Sequence, residues 1–367
     1  MTAPARIDAF LQLGREQDAS DIHFAVGMPP VLRMHGEIQP IRYRELSAEE
    51  CRNLIFEILT EQQIAQFKDG HDLDFSYSPK DGERYRFNVF RKLGGIAAVA
   101  RIVPPVPSTL EQLGLPPVAK RLAHSHQGLL LVTGTTGSGK STTLAAIIDY
   151  INSTRKLNII TLEDPVEYLH QSKMSLVVQR EVGSSVGSYA EGIRAALRED
   201  PDVILVGELR DAETMAMAMM AAETGHVVLA TLHTTSAAKT LDRILDTLPA
   251  EQKTQALTFL SQNLRGVISQ VLVKKPDGRG RKAIAEVMVM TAAISNLLLT
   301  GKHFQIPAVM QTGKENGMRL LDQALLDAVQ SKEIDPDDAY LHAHDKKPFQ
   351  RFVTDRRLVP QVALVSR

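Results

Sequence analysis

The sequence predicts an α/β protein whose larger part is a mostly parallel sheet with helices on both faces. From residue 129 onward, short apolar segments alternate with segments of helical periodicity, which is the pattern of successive strand and helix units. Before residue 104, strand-like alternation and helix signals are mixed, which predicts a smaller α+β domain. A proline-rich stretch separates the two parts.

The bulk composition agrees with a globular protein of two or three domains. The chain has 367 residues, of which 44% are hydrophobic, and a formal net charge of −1. This near-neutral charge provides no general attraction to nucleic acid, so we expect no nucleic-acid partner. The one cysteine, Cys51, excludes a disulfide framework and a multi-cysteine zinc site, and its helix-like context predicts a small buried side chain.

The amino terminus has no apolar signal region, and no apolar run reaches the roughly 18–20 residues that cross a bilayer. We therefore expect a soluble, cytoplasmic protein. Such a protein would reach the inner face of the cytoplasmic membrane only through protein partners.

Composition shifts predict four segments. They are an α+β domain over 1–103, a linker over 104–117, an α/β core over 118–290 and a helical region over 291–367.

In the first domain, alternation and capping signals predict helices and strands in turn. The predicted order is a helix over 7–16, strands over 22–24 and 31–34, a helix after Ser47, and strands over 73–77, 85–89 and 96–102. Ser47 and Glu50 form a capping-box pattern. Turn signals at 35–37 and 79–82 predict hairpin connections.

The second part reads as repeated strand and helix units. The predicted strands cover 129–133, 158–162, 203–206, 227–231 and 268–273, and the predicted helices cover 141–152, 188–199, 211–223 and 236–246. The basic run 274–282 contains a Pro-Asp-Gly turn between two apolar segments, and it predicts a solvated hairpin tip.

The first strand of that part runs directly into a phosphate-binding loop with the pattern G-x-x-x-x-G-K-S. Its glycines let backbone N–H groups point at one spot, and the following helix adds the positive end of its dipole. Lys140 supplies a cation for the β- and γ-phosphates, and the Ser141 hydroxyl can bind Mg²⁺. The predicted nucleotide-binding residues are Gly134, Thr135, Thr136, Gly137, Ser138, Gly139, Lys140, Ser141 and Thr142.

Hydrolysis requires carboxylates at the ends of neighbouring strands, and two strands provide them. Glu163 and Asp164 follow one apolar strand, and Glu208 follows another. One carboxylate would hold Mg²⁺ and the other would orient the attacking water. A carboxylate after a strand also commonly caps the next helix, so the two roles compete at each position.

His226 and His233 flank the strand over 227–231. Their spacing does not suit two adjacent ligands of one metal ion. Each histidine is either a hydrogen-bonded structural residue or a group that senses charge near a γ-phosphate.

Taken together, these motifs resemble the secretion ATPase superfamily, and within it the type IV pilus retraction ATPases (PilT-like). The likeness covers almost the whole chain. The matching segments are 134–142 (Walker A), 163–167 (aspartate box), 179–183, 200–211 (Walker B) and 222–234 (histidine box).

The resemblance implies a RecA-like P-loop ATPase core, a PAS-like amino-terminal domain and a homo-hexameric ring with ATP between the domains. It implies that Glu163 polarises the attacking water, that Glu208 supports Mg²⁺, and that His226 and His233 lie on the γ-phosphate side. It also implies that Arg86, Arg91 and Arg101 close over the nucleotide, and a guanidinium suits that role. Arginines at alternate strand positions also commonly face water.

The implied function is an ATP-driven motor that retracts type IV pili by acting on an inner-membrane platform protein. The segment 293–300 lacks two arginines and a glutamate that the family carries, so retraction alone and assistance to a paralogous retraction ATPase both stay open. Two alternatives share the phosphate loop. One is a RecA-type nucleic-acid motor, which the charge and the lack of stacking aromatics disfavour, and the other is a non-hydrolysing coupling subunit of a motor ring.

Overall fold

A computed structural model describes residues 6–34, 37–80, 82–103 and 107–359 of the chain. The chain divides into two compact units. The first contains the described residues up to 103 together with Pro165–Leu169, and the second contains Pro107–Asp164 and the chain from His170 onward.

Over its described residues, the first unit is a six-stranded antiparallel sheet with helices on one face. Its helices are α1 (Ile7–Glu16), α2 (Ala48–Phe56) and α3 (Glu61–Lys68), and its strands are β1 (Asp21–Ala25), β2 (Val31–Met34), β3 (Glu37–Pro40), β4 (Leu73–Tyr77), β5 (Arg84–Lys92) and β6 (Gly95–Val103). The strand order is β3-β2-β1-β6-β5-β4. Because strand side chains alternate between faces, Phe87 and Val89 are fully buried, whereas Arg86 and Asn88 lie on the other face.

Most elements predicted for this unit are confirmed. The helix over 7–16 and the strand over 31–34 have the predicted bounds. The capping box forms at α2, because the Ser47 N–H donates to Glu50 Oε2 over 3.1 Å and the Glu50 N–H donates to Ser47 Oγ over 3.2 Å. Cys51 is buried in the same helix, as predicted.

Two elements of the first unit were not predicted. The edge strand β3 is exposed along its whole length and has no alternating pattern. The short helix α3 begins at a capping box of Thr60 and Gln63, and this pattern in the sequence could have predicted the start of the helix. The predicted turns at 35–37 and 79–82 include His35, Gly36 and Asp81, which lie outside the described residues.

The second unit contains a seven-stranded sheet in its described part, with strand order β13-β12-β7-β11-β10-β8-β9. Its strands are β7 (Gly128–Thr133), β8 (Asn158–Glu163), β9 (Leu176–Glu181), β10 (Val203–Val206), β11 (Val227–Leu232), β12 (Leu264–Lys274) and β13 (Arg281–Val289). Its α-helices are α4 (Val118–Ala123), α5 (Lys140–Thr154), α6 (Tyr189–Ala196), α7 (Ala212–Glu223), α8 (Ala237–Thr247), α9 (Lys253–Asn263), α10 (Ala292–Leu299), α11 (Ile306–Thr312), α12 (Leu321–Gln330) and α13 (Pro336–His342).

The predicted α/β class, with a largely parallel sheet, is confirmed. The pairings among β7 to β12 are parallel, and β13 alone of the described strands joins this sheet antiparallel, through the predicted hairpin after Lys274. Two apolar cores, one on each face, explain why the strands read as continuous apolar runs. A third core holds α12 and α13 against β12 and β13.

Some boundaries differ from the prediction. Residues 107–117, predicted as part of a linker, belong to the second unit, because Leu110 and Leu115 are buried in its core. The prolines at 104–105 and Val106 lie outside the described residues. In the predicted helical region, α10 and α11 pack into the main core through Ile294 and Met310. Among the described helices, none is long and apolar enough to cross a membrane.

Candidate functional site

Four parallel strands of the second unit end at one edge of the sheet, which we call the carboxyl edge. These strands are β7, β11, β10 and β8, which are neighbours in that order. The phosphate loop follows β7, His233 follows β11, and Glu208 lies two residues beyond β10. Glu163 is the last residue of β8. The topology therefore places most predicted site residues along one edge, where α/β proteins bind ligands.

Glycine backbones shape the phosphate loop. Gly134 has a φ of 149° and Gly139 a φ of 88°, and Gly139 is the N-cap residue of α5. A Cβ at Gly134 would lie 2.3 Å from Ser138 Oγ and 2.4 Å from the Gln270 carbonyl oxygen. The loop thus has no room for a side chain at this position, and its shape leaves the N–H groups at the start of α5 available to an anion.

Two polar side chains inside the loop provide further donors. The Lys140 ammonium is buried and donates to the carbonyl oxygens of Gly134 at 2.9 Å and Thr135 at 3.0 Å. The Ser138 hydroxyl is also buried, and it has no hydrogen-bond partner in the part of the chain that the structure describes. A buried hydroxyl without a partner is costly, so a phosphate oxygen at this place would stabilise the loop. Ser141 is exposed in the first turn of α5.

Gln270, a buried residue of β12, fixes the loop from the side and was not predicted. Its Nε2 donates to the Ser138 carbonyl oxygen over 2.6 Å, and its Oε1 accepts from Thr143 Oγ1 over 2.8 Å. The amide therefore joins the loop to α5 and to the neighbouring strand. The sequence did contain a signal for this role, since Gln270 is a polar residue inside the predicted apolar strand 268–273.

Glu208 is the centre of a charged cluster at the carboxyl edge. Its Oε2 lies 2.9 Å from an Arg210 guanidinium nitrogen, and its Oε1 lies 3.2 Å from His233 Nε2. Burial acts to raise the pKa of Glu208, but the Arg210 hydrogen bond and the charges of His233 and Arg210 outweigh it, so the net pKa is lowered. His233 Nδ1 in turn lies 3.5 Å from Thr136 Oγ1 of the phosphate loop. One imidazole therefore connects the loop to the Glu208 carboxylate.

Glu163 is half-buried, and two neutral donors contact its carboxylate. Thr161 Oγ1 donates to Glu163 Oε1 over 2.6 Å, and Gln179 Nε2 donates to the same oxygen over 3.1 Å. A Cβ at Gly207 would lie 3.5 Å from Glu163 Cα, so the segment leading to Glu208 runs close beside Glu163. The adjacent Asp164 is exposed.

His226 lies at the opposite edge of the sheet from the phosphate loop, which differs from the prediction that it lies on the γ-phosphate side. Its Nδ1 lies 2.9 Å from the Ala221 carbonyl oxygen and 3.3 Å from Thr224 Oγ1, near the end of α7. The six residues of β11 separate it from the carboxyl edge, a span of roughly 20 Å. In the sequence both histidines are adjacent to the same strand, and this adjacency does not show that they lie at opposite edges of the sheet.

The three arginines predicted to contact nucleotide lie in the first unit and do not share a face of its sheet. Arg86 and Arg101 are directly opposite each other on β5 and β6. Arg86 forms a bidentate pair with Asp74, with distances of 3.0 and 2.7 Å, and Arg101 Nε donates to an Asp21 carboxylate oxygen over 2.9 Å. Each guanidinium is therefore already paired with a carboxylate.

Arg91 lies on the other face of the sheet from Arg86 and Arg101. Odd-numbered residues of β5 face the helices, and Arg91 donates to the carbonyl oxygens of Phe67 and Lys68 at the end of α3. Its guanidinium carbon also lies 5.2 Å from the centroid of the Phe67 ring. A cation at the carbonyl end of a helix is stabilised by the helix dipole, so this environment accounts for Arg91 locally.

Comparisons with known proteins agree with this architecture. A protein family described as "Type II/IV secretion system protein" matches residues 5–282. The chain is 46% identical over 319 residues to the type IV pilus retractation ATPase PilT of Pseudomonas aeruginosa, covering 87% of this chain and 92% of that protein. It is 38% identical over 336 residues to the type IV pilus ATPase PilU of the same organism, covering 92% and 88%.

A solved structure gives the same result at the level of the fold. The crystal structure of the pilus retraction motor PilT with bound ADP matches with a TM-score of 0.86 at 41% identity, covering 93% of this chain and 98% of that one. The fold of the chain is therefore that of a known group of proteins.

Proposed function

The chain belongs to the type II/IV secretion system protein family, and on that premise we propose that it is an ATP-hydrolysing motor for type IV pilus retraction. One observation carries the chemistry. Lys140, Glu208 and His233 lie together at the carboxyl edge, in a chain 46% identical to a retraction ATPase. No finding favours a nucleic-acid motor or a non-hydrolysing subunit.

The phosphate loop is the proposed site for the ATP phosphates. Its α5 N–H groups and the buried Ser138 hydroxyl are the donors. Lys140 exchanges the carbonyl oxygens of Gly134 and Thr135 for the β- and γ-phosphate oxygens, which are stronger acceptors because they are charged. The phosphate charge is thus neutralised by groups that the fold already holds in place.

The carboxylates provide the hydrolytic step. Glu163 is the proposed base that polarises the attacking water, since Thr161 and Gln179 fix its orientation. Ser141 and Glu208 are the proposed Mg²⁺ ligands, and bound Mg²⁺ would add positive charge beside the phosphates. The lowered pKa of Glu208 keeps it ionised, as a metal ligand must be. His233 holds the Glu208 carboxylate and contacts the loop, so it is placed to respond to a γ-phosphate.

The proposed assembly is a homo-hexamer at the cytoplasmic face of the inner membrane, where it would act on a pilus platform protein. The identity to PilT is higher than that to PilU, 46% against 38%, which favours a retraction motor in its own right over an accessory. Contacts of Arg86, Arg91 and Arg101 with a nucleotide stay a prediction. His226 is not assigned a role in the hydrolysis by its own chain.

A pilus-retraction assay tests this proposal. The full chain, its Lys140→Ala variant and the control Lys275→Ala, a change in the exposed tip of the β12–β13 hairpin, are expressed in a piliated host that lacks its own retraction ATPases. We expect retraction with the wild-type and Lys275→Ala chains and none with Lys140→Ala. Retraction restored only beside a second ATPase would indicate an accessory, and retraction with Lys140→Ala would contradict the proposal.

A further inference from the structure

A buried carboxylate outside the proposed site holds two helices at once. Glu286 lies on β13 and is 4% exposed. Its Oε1 accepts the Ala237 N–H over 2.8 Å, and its Oε2 accepts the Leu321 N–H over 3.1 Å. Ala237 is the first residue of α8 and Leu321 is the first residue of α12. The carboxylate therefore joins the N-termini of two helices that are far apart in sequence.

This arrangement supplies a hydrogen-bond acceptor to the N-termini of both helices. N-terminal N–H groups lack partners within their helix, and the N-cap residue of α12, Leu320, provides no side-chain acceptor. Glu286 takes that place from another strand, where both helix dipoles favour a negative charge. Burial raises the pKa of Glu286 and outweighs the N–H groups of Ala237 and Leu321, which act in the opposite direction.

The first turn of α8 is also tied to the carboxyl edge of the sheet. The hydroxyl oxygens of Thr240 and Thr234 are 2.6 Å apart, and the Thr240 hydroxyl donates to the Ser236 carbonyl oxygen over 2.8 Å. The Thr240 hydroxyl also lies 3.5 Å from that of Thr133, the last residue before the phosphate loop. Thr234 directly follows His233, so the residues between His233 and α8 are held at both ends.

We infer that Glu286 is a positioning residue, which holds the start of α8 so that His233 stays in contact with Glu208. Only three residues, 234–236, separate His233 from Ala237. A shift at the start of α8 is therefore carried to the imidazole, and a displacement of about 1 Å at a catalytic group can cost about 100-fold in rate. The inference rests on the proposed roles of Glu208 and His233.

The same carboxylate connects His233 to the carboxyl-terminal helices. Leu321 and Leu325 of α12 are buried against Ile284 of β13 and Val273 of β12. The Lys274 N–H donates to an Asp338 carboxylate oxygen of α13 over 2.7 Å. Glu286 thus links the N-terminus of α12 to the start of α8.

Steady-state ATP hydrolysis by the full chain tests the inference. Glu286→Gln keeps the side-chain shape but turns an amide nitrogen towards one of the two N–H donors, which breaks one hydrogen bond. We expect kcat to fall by about 10-fold while the KM for ATP changes less than about twofold, because the phosphate loop is untouched. The matched control is Asp337→Asn, since Asp337 also accepts two backbone N–H groups, that of Thr354 over 2.6 Å and that of Asp355 over 3.1 Å. This control should lower thermal stability similarly and leave kcat unchanged.

A second variant removes the donor instead of the acceptor. Ala237→Pro deletes one N–H at the first position of α8, where proline is tolerated, and Ser236 already has the extended backbone that precedes proline. We expect this variant to reproduce the loss of kcat, and the double variant with Glu286→Gln to lose no more than either alone.

Unchanged kcat in Glu286→Gln or in Ala237→Pro would overturn the inference, as would an equal loss in Asp337→Asn. If Glu286→Gln does not fold, the result for Ala237→Pro decides. Absence of ATP turnover in the wild-type chain would instead contradict the proposed function.

Discussion

The two ends of β11 each carry a histidine, and their surroundings differ completely. At the carboxyl end, His233 contacts Glu208 and the phosphate loop through Thr136. At the amino end, His226 contacts the backbone of α7 through the Ala221 carbonyl oxygen. Two identical side chains seven positions apart thus belong to a polar cluster in one case and to a helix end in the other. The surroundings of each histidine, and therefore the role it can have, depend on the edge of the sheet at which it lies.

The helix dipoles explain this difference. At the carboxyl edge, strands lead into helix N-termini, such as that of α5, and these ends attract phosphate. At the amino edge, strands follow helix C-termini, whose carbonyl groups attract cations and N–H donors. Variants at the two edges should therefore affect different properties, namely turnover at one edge and stability at the other.

The largest expected effect is that of Lys140→Ala. Removing this cation leaves the phosphate charge partly unpaired and should lower ATP turnover by about 100-fold or more. Calorimetry with ATP and with ADP should also show weaker binding. Lys275→Ala, in the exposed hairpin tip, serves as the control and should behave as the wild type. Unimpaired turnover in Lys140→Ala would remove the carboxyl edge from the mechanism.

The histidine pair provides the direct comparison of the two edges. We expect His233→Ala to lower kcat by about 10- to 100-fold, because the Glu208 carboxylate loses one of its two partners and the phosphate loop loses its contact with the imidazole. His226→Ala should leave kcat within about twofold and lower the thermal midpoint, because it removes hydrogen bonds at a helix end. A larger loss of kcat in His226→Ala would reverse the assignment of the two edges.

A pair of glycines extends the comparison to the backbone. Gly134 and Gly225 both have positive φ values, 149° and 109°, so alanine should cost about 1–2 kcal/mol of stability at either site. The two sites differ in the space around them. A Cβ at Gly134 would lie 2.4 Å from the Gln270 carbonyl oxygen, whereas nothing lies within 4 Å of a Cβ at Gly225. Gly134→Ala should therefore lose ATP binding in addition, and Gly225→Ala should keep it. Equal binding by the two variants would show that the close approach is unimportant.

The smallest expected effect is a shift in the pH profile. Arg210 stabilises the ionised form of Glu208, so the pKa in the folded state lies below its ordinary value of 4.5. The ionised Glu208 therefore stabilises the folded protein at pH values above its ordinary pKa of 4.5. This stabilisation is lost as the pH falls through the lower pKa that Glu208 has in the folded state. Arg210→Met should move the acidic limb of the kcat profile to higher pH. An unmoved limb would show that Arg210 does not set the ionisation of Glu208.

Features that depend on residues close together in the chain could be predicted from the sequence. The phosphate loop, the alternation of strands and helices and the capping box at Ser47 depend on neighbours in the chain, and the α/β class is confirmed. Glu163 and Glu208 could be placed at one edge because parallel strands end together. Their catalytic roles stay predictions.

Long-range contacts could not be predicted. Gln270 reaches the phosphate loop from a strand about 130 residues later, and Glu286 reaches α8 across 49 residues. The Arg91 side chain donates to the Lys68 carbonyl oxygen at the end of α3, a helix that was not predicted. In each case the partner is fixed by tertiary packing, so spacing along the chain provides no signal.

Hydrolysis by a Glu208→Gln variant tests the central claim most directly. The change keeps the volume and removes the charge at the centre of the carboxyl-edge cluster. Calorimetry for ATP binding and steady-state turnover with Mg²⁺ would be measured on the purified full-length chain. We predict Mg²⁺-dependent turnover in the wild type and a loss of about 100-fold in the variant, with ATP still bound. Turnover by Glu208→Gln at the wild-type rate would contradict the account.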